Sequence, residues 1–181
     1  MKKLILLIGE SGSGKDFLAW RANEDLAVRI LPSLTTREIR SGESTRTHDF
    51  VTKEEFLSMD EQDLLIAKTY FNNNYYGTSV DQVMHNDIYI IDLAGYRYMS
   101  AKINLDFRDK CIKLIPIRVR TPMLLRLYRM VRRGDGLKKA IERISHDKEF
   151  FNFHKREMKS YWNLPLRNPG DFSKLVKKIL K

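Results

Sequence analysis

Residues 2–15 read KKLILLIGESGSGK, and their pattern indicates a strand, a glycine-rich loop and the start of a helix. A buried strand is predicted from Lys2 to Ile8, because the continuous apolar run from Leu4 to Ile8 ends in a cluster of glycine and serine. Gly9, Gly14 and Lys15 then satisfy the phosphate-loop pattern G-x-x-x-x-G-K. In such a loop the glycines let the backbone approach a phosphate closely, so that successive N–H groups surround it.

The segment after the loop has the apolar spacing of a helix. Apolar residues at positions 17, 18, 20 and 26 predict a helix from Gly14 to Arg29. The partial positive charge of the helix N-terminus would add to the phosphate site. We therefore expect the donor phosphates to contact Gly9, Ser11, Gly12, Ser13, Gly14 and Lys15, with the Lys15 ammonium on the β and γ oxygens.

The residue after Lys15 departs from the common pattern. A hydroxyl normally stands there as a ligand of Mg²⁺, and this chain has Asp16. Since a carboxylate is a hard oxygen ligand, it can hold Mg²⁺ directly or through water. We predict that Asp16 has this role, and a loop that no longer works is the alternative.

Further strands and helices alternate along the chain. Residues 88–93 and 111–119 are apolar and β-branched, which predicts two more strands. Besides the helix from Gly14 to Arg29, helices are predicted at about 95–104, from Pro122 to Arg133, over 137–153, and from a cap at Asp171 to Lys181. Thr52 and Glu55 form a capping box, which predicts the start of a short helix. This order indicates an α/β fold with a parallel sheet covered by helices on both faces. We expect one domain, 1–181, with a core of 1–32, 85–119 and 154–181 and two insertions at about 33–84 and 120–150.

Charge and composition narrow the class of protein. The chain has 181 residues and a formal net charge of +10. Residues 1–117 hold 15 basic and 17 acidic side chains, whereas 118–143 hold nine and two, and 155–181 hold eight and two. The excess positive charge therefore lies in the last third, which suits an anionic ligand. The single Cys111 and the absence of any apolar run near the ~20 residues of a membrane helix predict a reducing, cytoplasmic location.

A second candidate anion site lies in residues 33–43, SLTTREIRSGE. Arg37 and Arg40 are three residues apart in a polar stretch, and two arginine forks suit a phosphate dianion. Residues 74–79, NYYGTS, then supply phenol and hydroxyl groups. These two motifs in this order, behind a phosphate loop, resemble the guanylate kinase family, whose members are P-loop nucleoside monophosphate kinases.

The resemblance implies roles for further residues. Arg37, Arg40 and Tyr76 would hold the phosphate of the acceptor, and Ser33 and Thr78 would contact its base. The acceptor site would also include His48, where the family has a tyrosine, and Asp92. A basic lid at about 120–150 would close over ATP through Arg129, Arg133 and Arg143, and Asn168 would lie near the adenine.

Three positions depart from the family pattern. Ala67 stands where the family has a glutamate that reads guanine, Ala94 replaces a glutamine, and His48 replaces the tyrosine. Together with Asp16, the missing glutamate also resembles ribose 1,5-bisphosphate phosphokinases, which lack a base pocket.

The resemblance implies transfer of the γ-phosphoryl group of ATP, with Mg²⁺, to a GMP-like or dGMP-like nucleoside monophosphate. Lys15, Arg37, Arg133 and Arg143 would be the catalytic residues, and the protein would be a monomer or homodimer. Three alternatives remain open: a ribose 1,5-bisphosphate kinase, a non-catalytic protein-binding module, and a nucleic-acid binder that uses the basic last third. Intact Gly9, Gly14 and Lys15 speak against the module, and the lack of interleaved aromatics speaks against nucleic acid.

Overall fold

The protein is built around a five-stranded parallel sheet. A computed structural model describes residues 1–39, 48–71, 73–106, 111–154, 156, 158, 162–165 and 169–181. The strands are β1 (Lys2–Ile8), β2 (Ile30–Leu31), β3 (Ser33–Thr35), β4 (His48–Phe50), β5 (Leu65–Phe71), β6 (Asn74–Ser79), β7 (Ile88–Ile90), β8 (Ile112–Arg120) and β9 (Trp162–Pro165). The central sheet has the order β2-β7-β1-β8-β9, and every neighbouring pair in it is parallel. The predicted α/β fold with a parallel sheet is confirmed.

Helices cover both faces of this sheet. They are α1 (Lys15–Leu26), α2 (Lys53–Glu61), α3 (Val80–His85), α4 (Leu93–Asp106), α5 (Met123–Arg132), α6 (Leu137–Phe153) and α7 (Pro169–Leu180). Because side chains alternate along a strand, β1 serves two buried clusters. Leu4, Leu6 and Ile8 pack in one cluster with residues of α4 and α6, and Ile5 and Leu7 pack in the other with residues of α1 and α7.

A second sheet of four strands lies within the predicted insertion at 33–84. Its order is β4-β3-β6-β5, with β3 parallel to β4 and antiparallel to β6. Gly77 of β6 is required here, because a Cβ atom would lie 2.9 Å from both the Phe56 ring and the Ala67 carbonyl oxygen. Ile66 and Ala67 of β5 belong to the same buried cluster as Leu4. The second sheet is therefore anchored to the central one.

Two predicted helix boundaries are wrong. Helix α1 ends at Leu26 rather than Arg29, since Ala27 is left-handed with φ 55° and donates its N–H to the Asn23 carbonyl at 2.8 Å. Helix α7 already begins at Pro169, so Asp171 lies in its first turn and is not its cap.

The strand predicted over 88–93 is also too long. Strand β7 ends at Ile90, and α4 begins at Leu93. The Asp92 carboxylate accepts a hydrogen bond from the Gly95 N–H at 2.7 Å, which stabilises the start of the helix. By contrast, the capping box of Thr52 and Glu55 is formed as predicted at the start of α2. Among the described residues, no helix has both the length and the apolar character needed to span a membrane.

Candidate active site

The phosphate loop joins the end of β1 to the start of α1. Gly12 and Gly14 have φ of 72° and 92°, a region that L side chains rarely adopt. A Cβ at Gly12 would lie 2.8 Å from the Arg126 carbonyl oxygen, so glycine also permits close packing of α5. The loop therefore has the backbone shape that its sequence predicts.

The Lys15 side chain folds into this loop. Its Nζ donates to the carbonyl oxygens of Gly9 at 2.8 Å and Glu10 at 3.2 Å. Burial lowers the pKa of Lys15, and the neighbouring Asp16 carboxylate opposes this most strongly. An anion bound in the loop would favour the charged ammonium in the same way.

Asp16 is exposed in the first turn of α1, beside the loop. Within the described part of the chain, no group of three or more histidine, cysteine, aspartate or glutamate residues could hold a metal ion by itself. Mg²⁺ usually keeps several waters and takes one or two carboxylates together with substrate phosphates. A single exposed carboxylate next to a phosphate loop fits that mode of binding.

Two of the three predicted lid arginines share one carboxylate, and the third contacts the phosphate loop. Arg133 Nε and Arg143 Nη1 donate to Asp135 Oδ2 at 2.9 and 3.1 Å. Arg129 Nη1 reaches the carbonyl oxygens of Gly12 and Ser13 at 3.3 Å each. Arg129 therefore contacts the phosphate loop directly, and all three predicted lid arginines line the same cavity as the loop.

The predicted acceptor residues lie mainly on the second sheet. The rings of His48 on β4 and Tyr76 on β6 meet edge to face, 6.4 Å apart. The Arg37 guanidinium lies 5.4 Å from the centre of the Phe50 ring, and its Nη1 donates to the Glu38 carbonyl at 2.8 Å. Thr78 is fully buried and donates to Gln82 Oε1 at 2.8 Å.

Asp92 lies between the two sheets, at the carboxyl edge of the central one. Asp92 is exposed to the cavity, but the protein atoms on its other sides displace part of its hydration shell, and this desolvation raises the pKa of Asp92. Hydrogen bonds from the N–H groups of Gly95 and Ala94 oppose the rise, as does the charge of Lys15. Burial also raises the pKa of Tyr89, which lies next to this carboxylate on the cavity wall.

One cavity of about 660 Å³ joins these elements. The predicted site residues that line it are Gly9, Ser11, Gly12, Ser13, Gly14, Lys15, Asp16, Ser33, His48, Tyr76, Asp92, Arg129, Arg133 and Arg143. Arg37 and Thr78 are not among its lining residues. The predictions for Arg40 and Asn168 lie outside the described residues.

Residue 67, where the family pattern has a glutamate that reads guanine, also lines the cavity. Ala67 stands there with 1% of its surface exposed. The nearest acid in sequence, Asp63, is paired with Lys102 instead. Among the described residues that line the cavity, the acids are Asp16, Asp92 and Asp147.

Sequence reasoning missed the acids that hold the basic groups of the lid. Asp135 follows the predicted helix that ends at Arg133, and neither Asp135 nor Asp147 belongs to a motif that indicates its role. Asp147 lies four residues after Arg143, one helical turn away, but its partners Ser11 and Arg126 are 136 and 21 residues away in sequence. No local pattern could have indicated these contacts.

Comparison with known proteins agrees with the motifs and the fold. The sequence profile of the guanylate kinase family matches residues 1–92. A guanylate kinase from Haemophilus influenzae is 35% identical over 168 residues, which cover 81% of this chain and 76% of that protein. One from Desulfitobacterium hafniense is 40% identical over 100 residues, covering 51% of this chain and 50% of that one.

A solved structure shows the same fold. The crystal structure of guanylate kinase from Anaplasma phagocytophilum superposes with a TM-score of 0.62 at 23% identity, and it covers 98% of this chain and 84% of that one. With the sequence match over most of the H. influenzae enzyme, this chain belongs to the guanylate kinase family of ATP-dependent nucleoside monophosphate kinases.

Proposed function

We propose that the protein transfers the γ-phosphoryl group of ATP to the phosphate of a nucleoside monophosphate, with GMP or dGMP as the acceptor that the family favours. One observation carries this proposal: a single cavity is lined by the phosphate loop, by three lid arginines, and by Ser33, His48 and Tyr76 of the second sheet. A donor and an acceptor could therefore meet in it.

The donor would lie along the phosphate loop. The N–H groups of the loop and the Lys15 ammonium would hold the β- and γ-phosphates in place of the carbonyl oxygens that Lys15 contacts now. Asp16 is the residue placed to hold Mg²⁺, which when bound neutralises charge on the β and γ oxygens. Arg133 and Arg143 would exchange their contacts with Asp135 for contacts with phosphate oxygens.

The acceptor would lie against the second sheet. Arg37, with Arg40 and Tyr76, would hold its phosphate, and Ser33 would face its base. Phosphoryl transfer passes through a loose transition state, so the protein mainly positions the reactants and neutralises charge. No covalent enzyme intermediate is required, and a closed lid would exclude water as a competing acceptor.

Ala67 supports a second candidate function. Guanine presents N–H donors at N1 and at its 2-amino group, and alanine offers no acceptor for either. A base-free bisphosphate acceptor, as in the ribose 1,5-bisphosphate kinases, would not need one.

A screen of acceptors tests both functions. ADP release is measured with ATP and Mg²⁺ against GMP, dGMP, the other nucleoside monophosphates and ribose 1,5-bisphosphate. We expect turnover with at least one nucleoside monophosphate. Turnover with the bisphosphate alone would replace the first proposal by the second, and ATP binding without turnover of any acceptor would contradict both.

A further inference from the structure

Two charged side chains hold the backbone of Ser11 in the phosphate loop, one at its N–H group and the other at its carbonyl oxygen. The Ser11 N–H donates to Asp147 Oδ2 at 2.7 Å, and the Ser11 carbonyl oxygen accepts from Arg126 Nε at 2.8 Å. Arg126 Nη2 also donates to Asp147 Oδ2 at 2.6 Å. The three groups form a closed ring of hydrogen bonds, which we call the Ser11 clamp.

The two charges of the Ser11 clamp are buried. The side chains of Arg126 and Asp147 are 7% and 15% exposed. Removing two charges from water is costly, and breaking such a pair leaves an uncompensated charge. A lone carboxylate here would also face the phosphates of a bound donor, because Asp147 lines the cavity. Arg126 neutralises that carboxylate while leaving it available to the Ser11 N–H.

The Ser11 clamp also fixes where the lid begins. Arg126 belongs to α5 and Asp147 to α6. These two helices carry Arg129 and Arg143, and Arg133 is the residue that ends α5. Arg129 is three residues after Arg126, and Asp147 is four residues after Arg143. Residues at these separations lie on the same helix face. The clamp therefore sets the distance between these arginines and the phosphate loop.

Close packing supports the same contact. The Arg126 backbone approaches Gly12 so closely that no Cβ would fit there. The two helices also share a buried cluster of Met130, Ala140 and Ile144, so that they move as one unit. A displacement of the loop would therefore carry the base of the lid with it.

We infer that Arg126 and Asp147 are positioning residues, which hold the phosphate loop and the arginine-bearing helices in a fixed relation for ATP. They act through the backbone of Ser11 and not by contact with the γ-phosphoryl group. The kinetic part of this inference rests on the proposed kinase function.

Kinetics of three variants test the inference. Asp147→Asn removes the charge, Arg126→Met removes the cation, and the double variant removes both. We expect the KM for ATP to rise about tenfold in Asp147→Asn, because a charge-assisted contact is lost. Arg126→Met should raise it about a hundredfold, because Asp147 then faces the phosphates unpaired. The KM for the acceptor should stay within about twofold in both.

The double variant separates positioning from stability. It has no unpaired buried charge, so its melting temperature should recover relative to Arg126→Met. Its KM for ATP should nevertheless stay about tenfold above that of the wild type, because the Ser11 carbonyl oxygen has lost its Arg126 donor and the Ser11 N–H keeps only a neutral acceptor. If the KM for ATP recovers together with the melting temperature, the pair has only a structural role. Glu149→Gln and Arg132→Met, exposed positions on the same helices, are the matched controls.

A second measurement does not depend on turnover. Hydrogen exchange of the Ser11 amide should be slow in the wild type and in both controls, and fast in Asp147→Ala. If the wild type phosphorylates no acceptor while this difference is seen, the proposed function fails and the positioning of the loop stands. Equal exchange in all variants would overturn the inference. A lower KM for ATP in Asp147→Asn would also overturn it, since Asp147 would then be an occupant that the phosphates displace.

Discussion

The regions of the cavity proposed for the donor and for the acceptor, here called the donor side and the acceptor side, are built differently. On the donor side, which comprises residues 9–16 and the helices α5 and α6, basic side chains are paired with protein acids. Asp135 holds Arg133 and Arg143, and Asp147 holds Arg126. On the acceptor side, which is the four-stranded sheet, the cavity wall includes the hydroxyl groups of Ser33 and Tyr76, the imidazole of His48 and the ammonium of Lys68, which is paired with Asp60.

This difference separates general from specific recognition. A polyphosphate needs several cations at fixed places, and the proposed donor side holds its cations through backbone carbonyl oxygens and through Asp135 and Asp147. An acceptor must be told apart from similar molecules, which requires individual donors and acceptors at the base. The described acceptor side offers few of these, and Ala67 removes the one that the family pattern leads us to expect.

Removal of the Lys15 side chain should give the largest loss of kcat and would test the role of the donor side. We expect Lys15→Ala to lower kcat by about a thousandfold, because the β and γ oxygens lose their point charge in the transition state. The fold should remain, since the ammonium is paired only with groups of its own loop. Coupled ADP-release kinetics and circular dichroism measure the two quantities. Lys113→Ala, at an exposed position, is the control, and retained turnover in Lys15→Ala would contradict the mechanism.

Removal of one lid arginine should have the next largest effect. We expect Arg143→Met to lower kcat about a hundredfold with little change in the KM for the acceptor, because the guanidinium acts on charge that develops in the transition state. Steady-state kinetics in both substrates separate the two constants. Lys139→Met, an exposed cation on the same helix, should be close to the wild type. Equal losses in both variants would mean that the lid supplies only a diffuse positive field.

The donor side was largely predictable from the sequence, because its geometry is local. The residues from Lys2 to Lys15 specify a strand, a glycine loop and a helix start through apolar runs and backbone constraints between neighbours. The strand β1 and the helix α6 have the predicted bounds. The lid arginines could be named from the family resemblance, but the acids that hold basic groups could not. The role of Asp147 depends on how two helices pack on a distant loop, and that of Asp135 depends on how the turn between those helices meets Arg143.

The acceptor side was less predictable. Its strands β3 and β4 have three residues each and pair across a long connection, so no window of sequence contains a clear period. Thr78 matches the family motif, yet its hydroxyl is directed to Gln82 of the following helix. That contact belongs to a capping arrangement of Ser79 and Gln82, which can be recognised in the sequence only after the helix start is known.

A glutamate at position 67 should increase the selectivity of the acceptor side for guanine. We expect Ala67→Glu to raise the ratio of kcat/KM for GMP to that for AMP by about tenfold, because a carboxylate can accept from both N–H donors of guanine. Ala67→Gln is the matched control: it has nearly the same size but offers no charge, so its effect should be smaller. Initial rates with the two nucleotides measure the ratio. An unchanged ratio in Ala67→Glu would place the base of the acceptor away from residue 67.

Asp92, where the two sides meet, should give the smallest effect. Burial raises the pKa of Asp92 in the folded protein, so the folded chain binds this proton more tightly than the unfolded chain does. The stability that this group contributes is therefore complete below its ordinary pKa of 3.8 and is lost as the pH rises through the folded value. Asp92→Asn cannot ionise, and its free energy of unfolding relative to the wild type should increase between about pH 4 and pH 7.

Urea unfolding of the wild type and of Asp92 variants across this pH range measures the difference. Asn still accepts from the Gly95 N–H, so Asp92→Asn isolates the charge from the helix cap. Asp92→Ala removes both, and it should show the same trend with pH at about 1 kcal/mol lower stability. A difference that stays flat would mean that the carboxylate is solvated as on an open surface. A difference that falls with rising pH would mean that the N–H groups of Gly95 and Ala94 and the charge of Lys15 favour the ionised form more than desolvation opposes it. In that case Asp92 would act together with the cation of the phosphate loop.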